Sequence, residues 1–303
     1  MKFDVILGNP PYNTSRREGR NNKVKSLYQD FVRLASTLSD NIWFVLPTRW
    51  MALPLYTKIR EEFKNIGIKY VKIIDTKQRF FKDAIIEGGV CYVFFNKKYK
   101  GIPNYELTSG EIIKENFKNQ IILINDLNIY KSILEKIKSK KNHFMNEIWF
   151  QNQEFKTNDK RINIEKGYKI RTAKGFKLID IDENFVKNPK FNYNKYKTVF
   201  SYTTTNYMKG YGKIFIDNKF SLVNMSYAYF PFNTKREAVN CLKYLQTKFV
   251  ITLKNATQTN INFTSKVFEN IPAMDFKVEW NDEDLYEFFE LSKEEINFIE
   301  TGI

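Results

Sequence analysis

The chain opens on a stretch that leaves little freedom of conformation. Phe3-Asp4-Val5-Ile6-Leu7 is a short, mainly apolar run that stops at Gly8, and Asn9-Pro10-Pro11-Tyr12 follows at once. Such a run, bounded by turn residues, reads as a buried strand of a parallel sheet. The two prolines fix φ and donate no N–H, so the ladder ends there and the local carbonyls remain as acceptors. In open α/β sheets, ligands bind outside the carboxyl ends of the strands. The tetrapeptide is therefore the first candidate site.

The rest of residues 1–100 alternates between strand and helix periods, the signature of an α/β layer. Leu27, Phe31, Leu34, Ala35 and Leu38 recur at helical spacing, and Ile42 to Leu46 is a second strand closed by Pro47. A second helix over Leu55 to Phe63 precedes strands over Tyr70 to Ile74 and Val90 to Phe95, with Glu87-Gly88-Gly89 supplying a tight turn before the last. Gly101-Ile102-Pro103 ends this regularity, which makes 101–303 a second, mixed α+β domain. It should hold a helix over Asp126 to Ser139 and a β-rich region over 195–232. One amphipathic helix is expected over Thr234 to Lys254, burying Ala238, Leu242, Leu245, Phe249 and Leu253. Asn281 or Asp282 is placed to cap a helix, and Ser292 with Glu295 forms a capping box for the next.

Charge narrows the partner. Lys and Arg number 49 against 34 Asp and Glu. Nine of those acids lie in the last 26 residues with one base, so 48 bases face 25 acids over residues 1–277. That excess favours a polyanion, nucleic acid first. Cys91 and Cys241 lack C-x-x-C spacing and His143 is the one histidine, which excludes a Cys/His zinc site and leaves a Ser-His-Asp triad only His143. We expect no metal. The apolar runs are too short for a membrane span and no secretory head precedes them, so no membrane partner and a cytoplasmic location are expected.

For a nucleic-acid substrate the tetrapeptide has a definite chemistry. An exocyclic amine is a poor nucleophile because its lone pair is delocalised into the base. Two acceptors that hold its two hydrogens out of plane localise that pair, and the Asn9 side-chain oxygen with the Pro10 carbonyl can supply them. Tyr12 offers a ring face to a base taken out of the helix, a contact worth roughly 1–3 kcal/mol. Arg16, Arg17, Arg20 and Lys23, with Asn13, Asn21 and Asn22, follow in a polar loop suited to DNA backbone beside that base. In the second domain Arg161, Lys169, Arg171, Lys174 and Lys177 are candidates for groove contacts.

Phe3 to Tyr12 resembles the catalytic segment of S-adenosylmethionine-dependent amino methyltransferases, above all the N6-adenine DNA methyltransferases of restriction-modification systems. Trp43 to Trp50 is similar to the family's strand-five segment, and Ile73 to Ala84 to a later segment whose aromatic packs on the target adenine, here Phe81 or else Phe80. Phe268-Glu269-Asn270-Ile271-Pro272 and Trp280 to Glu283 resemble its target-recognition region. The resemblance implies the second half of a Rossmann-like methyltransferase sheet over 1–100, then a target-recognition domain with an acidic helical tail. It implies a catalytic set of Asn9, Pro10, Pro11 and Tyr12, duplex DNA as partner, and methyl transfer to a flipped-out adenine.

One part of that pattern is not found. S-adenosylmethionine needs a glycine turn between a strand and a helix, then an acid for the ribose. Gly210-Tyr211-Gly212 has the spacing but precedes Lys213-Ile214-Phe215-Ile216, a strand-like run. The chain therefore reads as the carboxyl-terminal portion of a longer enzyme, inactive until a partner chain or amino-terminal segment brings the cofactor half. A non-catalytic DNA-specificity subunit or remnant, and a protein-glutamine or RNA methyltransferase, are the alternative readings.

Overall fold

The structure is a computed structural model that describes residues 2–13, 26–52, 56–74, 89–107, 110–116, 127–162, 165–205, 209–258 and 261–301. It is a mixed α/β chain of two compact units, Met1–Leu127 and Asn128–Ile303.

The first unit holds β1 (Ile6–Gly8), α1 (Tyr28–Leu38), β2 (Asn41–Pro47), α2 (Arg49–Ala52), α3 (Thr57–Ile66), β3 (Ile68–Ile74), β4 (Val90–Asn96), β5 (Asn104–Glu106) and β6 (Ile112–Lys114). Its six strands form one sheet in the order β1-β2-β4-β3-β5-β6. β1 lies parallel to β2, and β4 runs antiparallel between β2 and β3. The boundary expected after residue 100 falls later, because β5 pairs parallel with β3 through Tyr70↔Asn104 to Lys72↔Glu106 and carries the sheet onward. Tyr105, fully buried on β5, fixes that addition to the core.

Alternation along β2 and β4 sorts the sheet into two faces. Ile42, Phe44 and Leu46 with Cys91, Val93 and Phe95 are buried, and the T-shaped pair Phe63–Phe95 at 5.3 Å seats α3 on that face. Helix α1 buries Tyr28, Val32 and Ala35 at i, i+4 and i+7, not the Phe31–Leu34 stripe; Phe31 and Leu34 are exposed. Gly67 ends α3 at φ 110°, and a Cβ there would stand 2.3 Å from the Asn96 carbonyl oxygen, so glycine sets the tight passage into β3. On the opposite face Trp43 stacks on Phe94 at 4.5 Å and tilts against Tyr70 at 6.0 Å, and all three rings are half-exposed.

The second unit begins with α4 (Leu127–Lys140), then β7 (Tyr168–Thr172), β8 (Gly175–Ile179), α5 (Glu183–Lys187), β9 (Tyr196–Ser201), β10 (Ile214–Asp217), β11 (Leu222–Val223) and β12 (Tyr227–Phe232). Helices α6 (Lys235–Leu245), α7 (Lys248–Thr257), α8 (Asp282–Phe288) and α9 (Lys293–Thr301) complete it. The strands make two small sheets, β10-β9-β12 and β11-β7-β8. The single helix expected over Thr234 to Lys254 is two helices. Thr247 leaves the helical region at ψ 150° and accepts a hydrogen bond from the Val250 N–H, so it caps a new helix where the first stops. Thr234 and Asn281 cap α6 and α8 with capping boxes, and Ser292 and Glu295 exchange bonds before α9.

Four acids of the tail pair with neighbouring lysines of their own unit. Glu295 lies 2.6 Å from Lys136, Glu279 lies 2.6 Å from Lys243, and Glu290 and Glu300 pair with Lys140 and Lys248. Burial works against the charged form of Glu295, but bonds from Lys136, the Ser292 N–H and the Ser132 hydroxyl hold its carboxyl below the usual range. His143 is exposed and bonds Glu147 at 2.9 Å, and both cysteines are buried free thiols. Among the described residues no cluster of His, Cys, Asp or Glu is placed to hold a metal, and no helix is long and apolar enough to cross a membrane.

Candidate functional site

The tetrapeptide stands at the carboxyl end of β1. Gly8, the last strand residue, lies under the Phe44 ring, where an added Cβ would come 3.1 Å from Cε1. Beyond it Asn9 and Pro11 are exposed and Pro10 is buried. Neither the Asn9 side chain nor the Pro10 carbonyl receives a hydrogen bond from a described residue. The segment is pinned beyond that point, because the Leu27 N–H donates to the Tyr12 carbonyl at 3.0 Å and Asn13 bridges to Ser26. Asn9 is thus exposed to solvent on a segment whose far side is pinned, with the buried Pro10 beside it.

Tyr12 is half-buried with its hydroxyl turned inward, where it has no hydrogen-bond partner. Burial, with the Cys91 thiol nearby, pushes that phenol up to about 12, so it stays protonated at neutral pH. This makes it unfit as a base; what it offers is its ring. Beside the tip, Leu7, Gly8, Trp43, Phe44, Val45 and Tyr92 line an open apolar depression of about 470 Å³. Ligand sites of a few hundred Å³ with few polar groups are the common form for planar organic molecules. The motif pointed to its polar rim, whereas this lining was missed; the period-2 alternation that puts Leu7, Trp43 and Val45 on one face was its signal.

The other expected site residues separate. Phe80, Phe81, Arg16, Arg17, Arg20 and Lys23 lie outside the described residues. Arg171 is partly withdrawn, for its guanidinium reaches the Asp217 carboxylate at 3.3 Å and stacks 3.4 Å above the Phe176 ring. Lys174 is exposed at the turn joining β7 and β8. Gly210-Tyr211-Gly212 leads into β10 with Tyr211 buried, and no glycine turn opening a helix stands at a strand tip among the described residues. These residues do not by themselves fit the S-adenosylmethionine site of the resembled family.

Residues 1–81 match the Eco57I restriction-modification methylase family. An uncharacterised adenine-specific methylase of Mycoplasma pneumoniae is 37% identical over 106 residues, 33% of this chain and 25% of its own. Among solved structures, the type IIG restriction endonuclease BpuSI aligns over 95% of this chain and 48% of its own at 9% identity and a TM-score of 0.42. The type IIL restriction-modification enzyme MmeI, solved in complex with DNA, aligns over 88% of this chain and 46% of its own at 9% identity and a TM-score of 0.42. The chain thus spans a quarter of the methylase relative and about half of each of those solved chains. The resemblance of Phe3 to Tyr12 to N6-adenine restriction-modification methylases is borne out by the match of residues 1–81 to the Eco57I restriction-modification methylase family and by the similarity to the adenine-specific methylase.

Proposed function

We propose that this chain supplies the amine-gripping tip and the DNA-recognition part of an N6-adenine DNA methyltransferase, and that another polypeptide segment completes its sheet and holds the cofactor. The observation that carries the reading is the tip of β1, where the Asn9 side chain and the Pro10 carbonyl receive no hydrogen bond from a described residue, beside an open apolar depression. An adenine lodged there would place its two amino hydrogens on these oxygens. The nitrogen lone pair is then drawn out of the ring and directed at an electrophile, and no prior deprotonation is needed. When bound to the completed enzyme, S-adenosylmethionine supplies the methyl group. Residues 1–127 are read as the catalytic half of a Rossmann-like methyltransferase domain, and 128–303 as the target-recognition part.

The sheet supports the missing-segment part of the reading. Crossovers β1–α1–β2 and β2–α3–β3 are expected to be right-handed, which puts both helices on one face. Parallel sheets are normally covered on both faces. A layer over the Trp43–Phe94–Tyr70 face must then come from strands wound the other way from β1, whose outer edge carries exposed Val5 and Leu7. The point where the winding reverses is the ligand crevice of such sheets, and here it falls at Asn9.

The test is methyl transfer to duplex DNA by this chain joined to the polypeptide carrying the glycine-rich cofactor turn. Asn9→Ala should lower the rate by at least about 100-fold, the scale for losing one preorganised polar contact, with DNA affinity within about twofold. Transfer at the normal rate would remove Asn9 from the chemistry. Tight S-adenosylmethionine binding by this chain alone, measured calorimetrically, would remove the need for a second segment.

A further inference from the structure

We infer that the β7–β8 hairpin is the element of the second unit that enters the major groove of duplex DNA, with Phe176 as its apolar contact and Lys169, Lys174 and Lys177 on the flanking phosphates. This rests on the DNA reading above and names its interface.

Three observations converge on the hairpin. From Lys166 to Ile179 it carries five basic residues and no acid. Six lysines elsewhere in this unit are paired, Lys136, Lys140, Lys243 and Lys248 with the acidic tail and Lys187 and Lys190 with Glu183 and Glu154. Lys169, Lys174 and Lys177 are exposed and have no carboxylate partner among the described residues, so their charge is available to an outside anion.

Second, Phe176 is 40% exposed and yet held in place. The Arg171 guanidinium lies 3.4 Å from its ring centroid, the Lys169 ammonium 5.0 Å, and Asp217 anchors Arg171 from the neighbouring sheet. The exposed part of the ring is not used by the fold, while two cations hold the ring in place. It is preorganised to meet an apolar surface lined with negative charge, such as thymine methyls and base edges between phosphate rows. Arg171 is thus a positioning residue for Phe176 instead of the groove contact expected from sequence.

Third, the turn is stiff. The Thr172 hydroxyl donates to the Gly175 carbonyl at 2.8 Å and accepts from the Lys174 N–H at 3.2 Å, and Gly175 takes φ 102° with open space around it. The inner side of the hairpin is fixed by Ile170 and Ile179 in a core with Phe155, Phe191 and Leu222. β11 flanks β7 only at Ile170 and Arg171, and the rest of the hairpin, two strands about 5 Å apart, fits a groove about 12 Å wide.

The experiment is fluorescence anisotropy of the full chain with a labelled mixed-sequence duplex of about 25 base pairs over a range of salt, repeated with single-stranded DNA and RNA of the same sequence. Lys169→Ala/Lys174→Ala/Lys177→Ala should weaken duplex binding at least about tenfold and reduce the slope of log K against log salt by about 3, one per phosphate contact. Phe176→Ala should weaken binding with the slope unchanged. All four residues are exposed, and circular dichroism verifies that the variants fold. If the wild type binds duplex and the triple variant binds with the same slope, the hairpin is not the interface while the DNA reading stands. Preference for a single strand or RNA over duplex overturns the major-groove assignment. Failure of the wild type to bind duplex at any salt overturns the DNA reading itself.

Discussion

The hydroxyl of Tyr12 is buried near the Cys91 thiol with no hydrogen bond made to it, although the same residue carries the backbone carbonyl that pins the Asn9–Tyr12 segment to Leu27. A buried hydroxyl without a partner costs about 1–3 kcal/mol. Tyr12→Phe should therefore leave DNA methylation by the completed enzyme intact and raise stability to urea by about 1 kcal/mol. Tyr12→Ala should lose both stacking and packing. Equal loss of activity in the two variants would give the hydroxyl a role that its surroundings do not support.

Gly8 predicts a steric limit at the strand tip. Its missing Cβ leaves 3.1 Å to Phe44, a ring that is itself buried. Gly8→Val should destabilise the first unit by about 1–3 kcal/mol, the usual range for overpacking. Phe44→Leu alongside it should recover part of that loss, and a double-mutant cycle from urea melts measures the coupling.

Acid sensitivity should trace to Glu295. Its carboxyl is held below the usual carboxylate range, so it contributes stability at neutral pH that is lost as pH falls through its folded-state value. Glu295→Gln should cost about 2 kcal/mol at pH 7, the scale of a hydrogen-bonded charge, and flatten the decline of stability below about pH 4.5. A variant whose acid unfolding matches the wild type would contradict this.

Lys254 predicts a second rise of stability, at high pH. It is fully buried, and burial pulls its ammonium down from the ordinary 10.5 to about 7, although the Tyr211 and Phe263 rings lie within 6 Å and Asn255 and Gln258 accept its protons. Above about 7 the unfolded chain binds the extra proton, so this residue makes stability rise with pH from about 7 toward 10.5 and contributes no slope below. Lys254→Met should remove that rise, read as the difference between wild type and variant in urea melts at pH 7 and pH 9.5.

Local chemistry made much of this legible. The apolar run stopped by Pro10-Pro11 announced a parallel β1 and its tip, although β1 is an exposed edge strand and not the buried one expected, and Ser292 with Glu295 announced a helix start, because each depends on neighbours in the chain. What could not be read depends on partners far along it. The boundary moved past residue 100 because Tyr105 finds β3, which no local pattern encodes. Thr234 to Lys254 kept a helical period across a break, since Thr247 restarts the turn nearly in phase. Arg171 looked like a free cation until Asp217, 46 residues away, claimed it. Phe176 drew no notice, because only the folded hairpin brings Arg171 and Lys169 over its ring.

The division of lysines into neutralised and free also governs how the molecule arrives. Carboxylates answer Lys136, Lys243 and Lys248 on α4, α6 and α7, whereas none among the described residues answers Lys169, Lys174 or Lys177. A polyanion at a distance exerts a torque on such a molecule and turns the hairpin toward itself before any collision. Dilution of salt should then quicken encounter itself, and not merely prolong the complex that results.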